Sequence, residues 1–301
     1  MVKTVKFKIK KVPSSPILER KGQIELFSRS SIFKHNNAKI QKIELLAPSG
    51  SLACLKAAIS SGADSVYLGM NKFNARENAV NFNSKYLIDA IHLAKSNDVR
   101  VYLTANTLIK NSEIAEFLEQ IKYGYEHGID AVIIQDPSFI EIIKKSFPGL
   151  EVHLSTQTGI MNSAQANLFD VDRIILAREI DKKNLELLRK NCKIGLEMFV
   201  HGALCACVSG SCLFSSLLGG RSGNRGKCAQ PCRKVYNSSL LISTKELCLV
   251  EKIPEIIKLG INAVKIEGRM RTPYYVATSV SNYRKAIDSY YARKFKVTPE
   301  M

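Results

Sequence analysis

The chain has 301 residues, 46% hydrophobic and 24% charged, with a formal net charge of +17. That is enough for one large α/β core, and it excludes a disordered chain or a small disulfide scaffold. No apolar run approaches the roughly 18 residues that a membrane-spanning helix needs, and the basic N-terminus lacks the apolar centre of a secretory leader.

Residues 1–42 carry eleven Lys and Arg against Glu19 and Glu25, a net +9, and read as a basic N-terminal extension without a helical period. From residue 43 short apolar runs alternate with amphipathic stretches. The runs are Ile43–Leu46, Ser65–Leu68, Val99–Thr104, Ala131–Ile134, Glu151–Leu154, Arg173–Leu176, Ile194–Val200 and Ala263–Ile266. Near-continuous apolar runs of this length predict strands buried on both faces, as in a parallel sheet covered by helices. Helices are predicted at Leu52–Ser60, Ser112–Tyr125, Lys182–Lys190, Glu251–Leu259 and Pro273–Ala292, the first behind the capping run Ser49-Gly50-Ser51 and the last opening on a proline. Eight β/α units over about 250 residues predict an α/β fold of the (β/α)8 TIM-like barrel type. An open doubly wound sheet is the alternative. It is weakened by the absence of a G-x-G-x-x-G turn after the first strand.

One interval breaks the rhythm. Between the seventh and eighth barrel strands, residues 203–250 read as a Cys-rich insertion, with four glycines between 219 and 226 and a short strand expected at Ser239–Ile242. It sits at the C-terminal end of a barrel strand, the face where such barrels keep their chemistry. Six of the eight cysteines fall here, at Cys205, Cys207, Cys212, Cys228, Cys232 and Cys248. In a chain read as cytoplasmic for want of an export signal, such crowding favours metal or redox chemistry over disulfides. The spacing contains no C-x2-C pair and no zinc-type Cys/His arrangement, and four thiolates at irregular intervals suit an iron–sulfur cluster. Cys54 and Cys192 read as packing residues.

Polar groups at the ends of barrel strands are the further functional candidates. They include Asn106, Asp136, Gln157, Glu197, His201 and Glu267, with Ser49, Gln135, Ser155 and Glu179 beside them. Arg76, Arg178 and Arg269 form a trio suited to bidentate binding of a small dicarboxylate. His201, Glu197 and Asp136 are the candidates for catalytic acid–base work, and Asn106, Gln157 and Glu267 join the arginines as substrate-binding candidates. His153 lies inside a strand and reads as core. The segment 203–238 carries Arg221, Arg225, Lys227, Arg233 and Lys234 with no acid, and with the overall charge this fits a polyanionic partner such as RNA.

The run Glu197-Met-Phe199-Val-His201-Gly202-Ala203-Leu204-Cys205-Ala-Cys207-Val-Ser209-Gly210-Ser-Cys212-Leu-Phe214-Ser215 resembles the signature of the peptidase U32 family, with Phe214 where that pattern has an aliphatic residue. Further matches are Glu44-Leu-Leu-Ala-Pro48-Ser-Gly50, Cys228-Ala-Gln-Pro-Cys232-Arg233, Ser243-Thr-Lys-Glu-Leu-Cys248 and Lys265-Ile-Glu267-Gly-Arg269. The resemblance spans about residues 42–294. It implies a barrel carrying a [4Fe–4S] cluster and an oxygen-independent hydroxylase acting on a base of tRNA or rRNA or on a ubiquinone precursor, with prephenate as oxygen source. By position it implies Cys205, Cys212, Cys228 and Cys248 as cluster ligands, with Cys232 as the alternate. A peptidase, as the family name states, a quinone-precursor hydroxylase, or an accessory role beside a partner subunit are the competing expectations.

Overall fold

The computed structural model describes residues 42–297. The reading of residues 1–41 as a basic extension lies outside the described residues.

Eight parallel strands close into a barrel. They are β1 (Glu44–Pro48), β2 (Ser65–Gly69), β3 (Arg100–Ala105), β4 (Ala131–Ile134), β5 (Glu151–Leu154), β6 (Arg173–Ile175), β7 (Gly195–Gly202) and β9 (Ala263–Ile266). Each of β1 to β6 pairs with its successor, β6 with β7, β7 with β9 and β9 with β1, so no edge is left open. All eight predicted runs are strands, within one or two residues at each end. The ninth strand, β8 (Leu247–Cys248), lies antiparallel against the end of β7.

Helices α1 (Leu52–Ser60), α2 (Ser84–Lys95), α3 (Ile114–Glu126), α4 (Ile140–Ser146), α5 (Ser163–Ala166), α6 (Lys182–Asn191), α7 (Phe214–Gly219), α8 (Ile253–Lys258) and α9 (Pro273–Tyr291) complete the fold. All lie between successive barrel strands or after the last, and the interval between β7 and β9 holds two, α7 and α8. Their starts follow local chemistry. Ser51 Oγ accepts the Cys54 amide at 3.2 Å, and Asn83, Asp181 and Thr272 cap α2, α6 and α9 in the same way. The outer core, between strands and helices, is aliphatic and aromatic; Cys54 and Cys192 are buried within it as packing residues.

The strand expected at Ser239–Ile242 does not form. Asn237 and Ser238 take positive φ values of 47° and 64°, which closes a tight turn between Tyr236 and Ser239. Leu240, Leu241 and Ile242 then run exposed, and the strand of this segment comes later, as β8.

Inside the barrel, strand alternation places polar groups that apolar averages conceal. Arg173 donates to Glu44 through both terminal nitrogens, at 3.1 and 2.7 Å, and to Glu197 at 3.2 Å. Lys265 donates to the other oxygen of Glu197 at 2.9 Å, and Tyr102 OH donates to Glu44 at 2.6 Å. Glu197 and Lys265 are 0% and 3% exposed. Groups of this kind are tolerated inside a protein only where each finds a partner. Burial alone would push the Glu44 carboxyl up, but Arg173, Ser65 and Tyr102 hold it at about 2. His153 is fully buried, edge-on to Tyr102 and 3.0 Å from Glu151, in keeping with its reading as core.

Two outcomes follow. Arg173→Ala leaves Glu44 without a cationic partner, takes one of two from Glu197 and lowers unfolding free energy by about 3–5 kcal/mol, whereas Lys145→Ala, which breaks an exposed pair with Glu141, stays within about 0.5 kcal/mol in urea melts. The depressed Glu44 group contributes stability that is complete above its ordinary value of 4.5 and is lost as pH falls toward about 2. Glu44→Gln therefore flattens the acid limb of the stability profile between those values.

Candidate functional site at the barrel mouth

The C-terminal ends of the strands open into a cavity of about 370 Å³. Its inner wall is built from strand residues: Tyr67 on β2, Thr104 on β3, Ile133 on β4, Ile175 on β6, Phe199 on β7 and Lys265 on β9. Lys265 Nζ sits 4.3 Å from the centroid of the Tyr67 ring and 5.4 Å from that of Phe199. Burial pushes its ammonium pKa down, against the pull of Glu197.

Above this floor the three arginines expected from sequence meet. Arg76, Arg178 and Arg269 all line the cavity. Arg269 donates to Thr104 Oγ1 at 2.9 Å, and burial together with neighbouring Arg76 brings its guanidinium down to about 10. Gly69 makes room for it, since a Cβ there would run into the Arg269 guanidinium and the Thr104 hydroxyl. Arg76 pairs with Glu267 at 3.3 Å. Arg178 lies 4.3 Å over the Phe199 ring and donates to Cys205 Sγ at 3.2 Å. Asn106 bridges the β2 and β5 loops, accepting the Ala75 amide at 3.0 Å and donating to Ser155 Oγ at 3.2 Å. Gln157 Oε1 and Arg178 Nε are buried without a protein partner. Glu267 is the lone carboxylate among these lining residues, so the cavity is cationic and suited to an anion.

The outer wall is the segment between β7 and β8. It supplies Cys205, Cys207, Cys212, Cys228 and Cys232 to the cavity, all as free thiols. Contacts with the barrel loops hold it down. Arg225 donates to both oxygens of Glu113, at 2.7 and 2.5 Å. Ser209 donates through amide and hydroxyl to Glu179, and Gly210 and Gly226 press their backbones against Gln157 and Asn74. Arg233 ties Leu204 to Ser243 within the segment. Of its six basic residues, Arg225 and Arg233 thus hold structure, while Arg221, Lys227, Lys234 and Lys245 face solvent.

Asp136, Glu197, His201 and Cys248 are candidates from the sequence that do not line the cavity, and neither do Ser49, Gln135 and Glu179. Asp136 caps the turn after β4, accepting the amide and hydroxyl of Ser138 at 3.1 and 2.6 Å. Glu197 lies below the floor, bound to Arg173 and Lys265. His201 turns away because of a β-bulge. Phe199 pairs with Lys265, but His201 pairs with Ile266, so the phase slips at Val200 and His201 faces α9 with the outward-facing Ile266. There it packs against Tyr275 and Tyr283, its Nδ1 has no protein partner, and burial lowers its pKa. Cys248 pairs with His201 across β7 and β8, exposed and 4.0 Å from Tyr283 OH, outside the cavity lining. Sequence reading missed Tyr67, Thr104, Phe199 and Lys265 as site residues. Their signal was alternation: in a closed barrel every second strand residue faces inward, and a lysine inside an apolar run needs a reason.

The thiols answer to iron–sulfur chemistry in kind. Cys205 receives the Arg178 guanidinium, and Cys228 Sγ accepts the Gln230 amide at 3.3 Å, the sort of donors that stabilise cluster-bound sulfur. Among the described residues no three His, Cys, Asp or Glu side chains converge closely enough for a single metal ion. Thiolates are the usual ligands of iron–sulfur clusters, and five thiols line this one cavity.

If the segment is held as described, Arg225→Ala releases it first. Limited proteolysis of that variant cuts between residues 203 and 246 several-fold faster than in the parent chain. The melting transition of the barrel moves by no more than about 1 kcal/mol, because the lost pair is partly exposed.

Comparison with known proteins places this geometry among relatives. The family model described as peptidase family U32 matches residues 50–301. "tRNA hydroxylation protein P1" of Bacillus subtilis is 35% identical over 283 residues, covering 87% of this chain and 67% of that protein. A protein of Methanocaldococcus jannaschii named an uncharacterized protease is 38% identical over 269 residues, covering 82% and 65%. "23S rRNA 5-hydroxycytidine C2501 synthase" of Escherichia coli is 33% identical over 262 residues, covering 82% and 40%. The chain thus spans about two thirds or less of the length of these relatives. A solved U32 peptidase superposes with a TM-score of 0.55 at 15% identity, over 79% of this chain and 98% of that one, which supports the fold alone.

Proposed function

This chain belongs to the peptidase U32 family, and from that premise we propose that it is an iron–sulfur enzyme that hydroxylates a nucleobase of tRNA or rRNA without molecular oxygen. The observation that carries the reading is the meeting of five free thiols with three arginines around one cavity at the barrel mouth. The names of the Bacillus and Escherichia relatives supply the reaction class. Arg221, Lys227 and Lys234, exposed within residues 203–238, which carry no acid, supply the phosphate-binding surface that an RNA requires.

Cys205, Cys212 and Cys228 would hold a [4Fe–4S] cluster, with Cys248 or Cys232 as the fourth ligand. When bound, the cluster supplies one-electron chemistry at the cavity. The chain's own residues do the rest. Arg76, Arg178 and Arg269 bind the carboxylates of a small oxygen-donating acid, prephenate by family resemblance. Asn106, Ser155 and the unpartnered Gln157 oxygen present hydrogen bonds to an inserted base, and Phe199 offers it an apolar face. The thiol-bearing segment excludes water from the mouth, which strengthens each of these contacts.

A peptidase reading needs a nucleophile paired with a base. The bulge after Phe199 puts His201 on the outer side of β7 while Cys205 lines the cavity, so this pair does not form a dyad. H-E-x-x-H is absent from the sequence.

The full chain purified without oxygen is expected to carry iron and acid-labile sulfide in equal amounts. Serine at Cys205, Cys212 or Cys228 should abolish both, whereas serine at Cys54 leaves them unchanged. Serine at Cys232 and at Cys248 then separates the two candidates for fourth ligand. In a strain lacking the gene, mass spectrometry of tRNA and rRNA nucleosides should show one hydroxylated nucleoside lost. RNA with every hydroxylated nucleoside intact, or peptide cleavage that survives iron removal, overturns the reading.

A further inference from the structure

The role proposed above leaves Lys265 unused, although it is the cavity's least expected residue. It is 3% exposed, it lines the cavity floor, and it comes from the middle of a strand otherwise filled with Ala263, Val264 and Ile266. It is not the sole partner of Glu197, because Arg173 also contacts that carboxylate. That arrangement lets Lys265 lose its proton without stranding a carboxylate. Desolvation and the nearby Arg269 and Arg173 also favour the neutral amine, opposed by Glu197. A desolvated lysine beside other cations and a carboxylate is the environment in which an amine becomes a nucleophile toward carbonyl carbon.

We propose that Lys265 is a catalytic residue that forms an imine with the carbonyl of a small 2-oxo acid held in the cavity by its carboxylate. Arg269, Arg76 and Arg178 line the same space and provide the carboxylate contacts. Glu197 Oε1, 2.9 Å from Nζ, accepts the ammonium proton and frees the amine. The nitrogen lone pair attacks the carbonyl carbon to make the C–N bond, and the proton returns to the carbonyl oxygen. A second proton from nitrogen completes the water that leaves as the C–O bond breaks. One ammonium and one ketone thus become one protonated imine and one water, with no oxidant or reductant consumed. Tyr67 and Phe199, on which the ammonium now rests, would flank the iminium with their π faces. The inference rests on the proposed function only in taking this cavity as the active site, and it names the chemical class of the small co-substrate.

The test is trapping, which needs neither RNA nor iron. The full chain is incubated with pyruvate or phenylpyruvate as probe, reduced with borohydride, digested and mapped by mass spectrometry. A reduced adduct at Lys265, at least tenfold above any other lysine, is the expected result. It should vanish in Lys265→Arg and fall at least tenfold in Glu197→Gln, while both variants keep the parental circular dichroism spectrum. Lys145→Ala, at an exposed position outside the cavity lining, should still be labelled at Lys265, and Lys265→Met is the second substitution should Lys265→Arg fail to fold. Labelling spread evenly over surface lysines, or none at Lys265 in the folded parent chain, overturns the proposal. Loss of the RNA hydroxylation reading would not remove the adduct, so the two failures are distinguishable.

Discussion

The buried ion network of Glu44, Arg173, Glu197 and Lys265 is the constraint on which the rest of the architecture depends. Its members come from β1, β6, β7 and β9, the four neighbouring strands at which the sheet closes on itself. None of these charges could be buried alone at tolerable cost, so register across the closure is fixed by chemistry as well as by shape. The network also runs along the barrel axis. Glu44 lies toward the N-terminal ends of the strands, and Lys265 forms part of the floor on which the cavity is built.

Above that floor, one irregularity sorts the functional groups. In a regular β7, residues 197, 199 and 201 would all face inward. The slip at Val200 keeps Phe199 inside, as the rest for Arg178, and sends His201 to the aromatic side chains of α9. The thiol-bearing segment then departs from the end of the same strand. Anchored by Arg225 on Glu113 and by Ser209 on Glu179, it returns over the mouth and brings cysteines from both sides of its glycine-rich turn to one wall. The thiol-bearing wall of the cavity is therefore a consequence of one strand end, while its arginines come from the ends of three others.

How much of this could be read from the sequence depended on whether the signal was local. The eight barrel strands were legible because strands covered on both faces read as apolar runs, and Ile43–Leu46 or Ala131–Ile134 needed no tertiary information. The crowding of cysteines was legible as density along the chain. Helix α2 was missed although Asn83 and the spacing of Leu87, Ala90, Ile91 and Ala94 carry its signal. The inward polar layer was not read because Glu44, Arg173 and Lys265 are single charges in short apolar runs, and their partners are more than a hundred residues away or across the closure. The bulge left no mark at Val200, so Glu197, Phe199 and His201 kept one phase in sequence and two in space. The expected strand at 239–242 failed for a related reason: an apolar run finds no ladder when the turn before it points it to solvent. The strand-end arginines, by contrast, line the mouth in the way the barrel rule leads one to expect, since polar residues at the C-terminal rim of a barrel converge there.

The central claim is that this mouth houses an iron–sulfur cluster held by the segment after β7. Its most direct test is diffraction at the iron absorption edge from crystals of the full chain grown without oxygen. An anomalous peak is expected at the cavity wall, bordered by Cys205, Cys212 and Cys228, with Arg178 beside it. Iron bound elsewhere on the chain, or a well-ordered mouth without an iron peak, would contradict it.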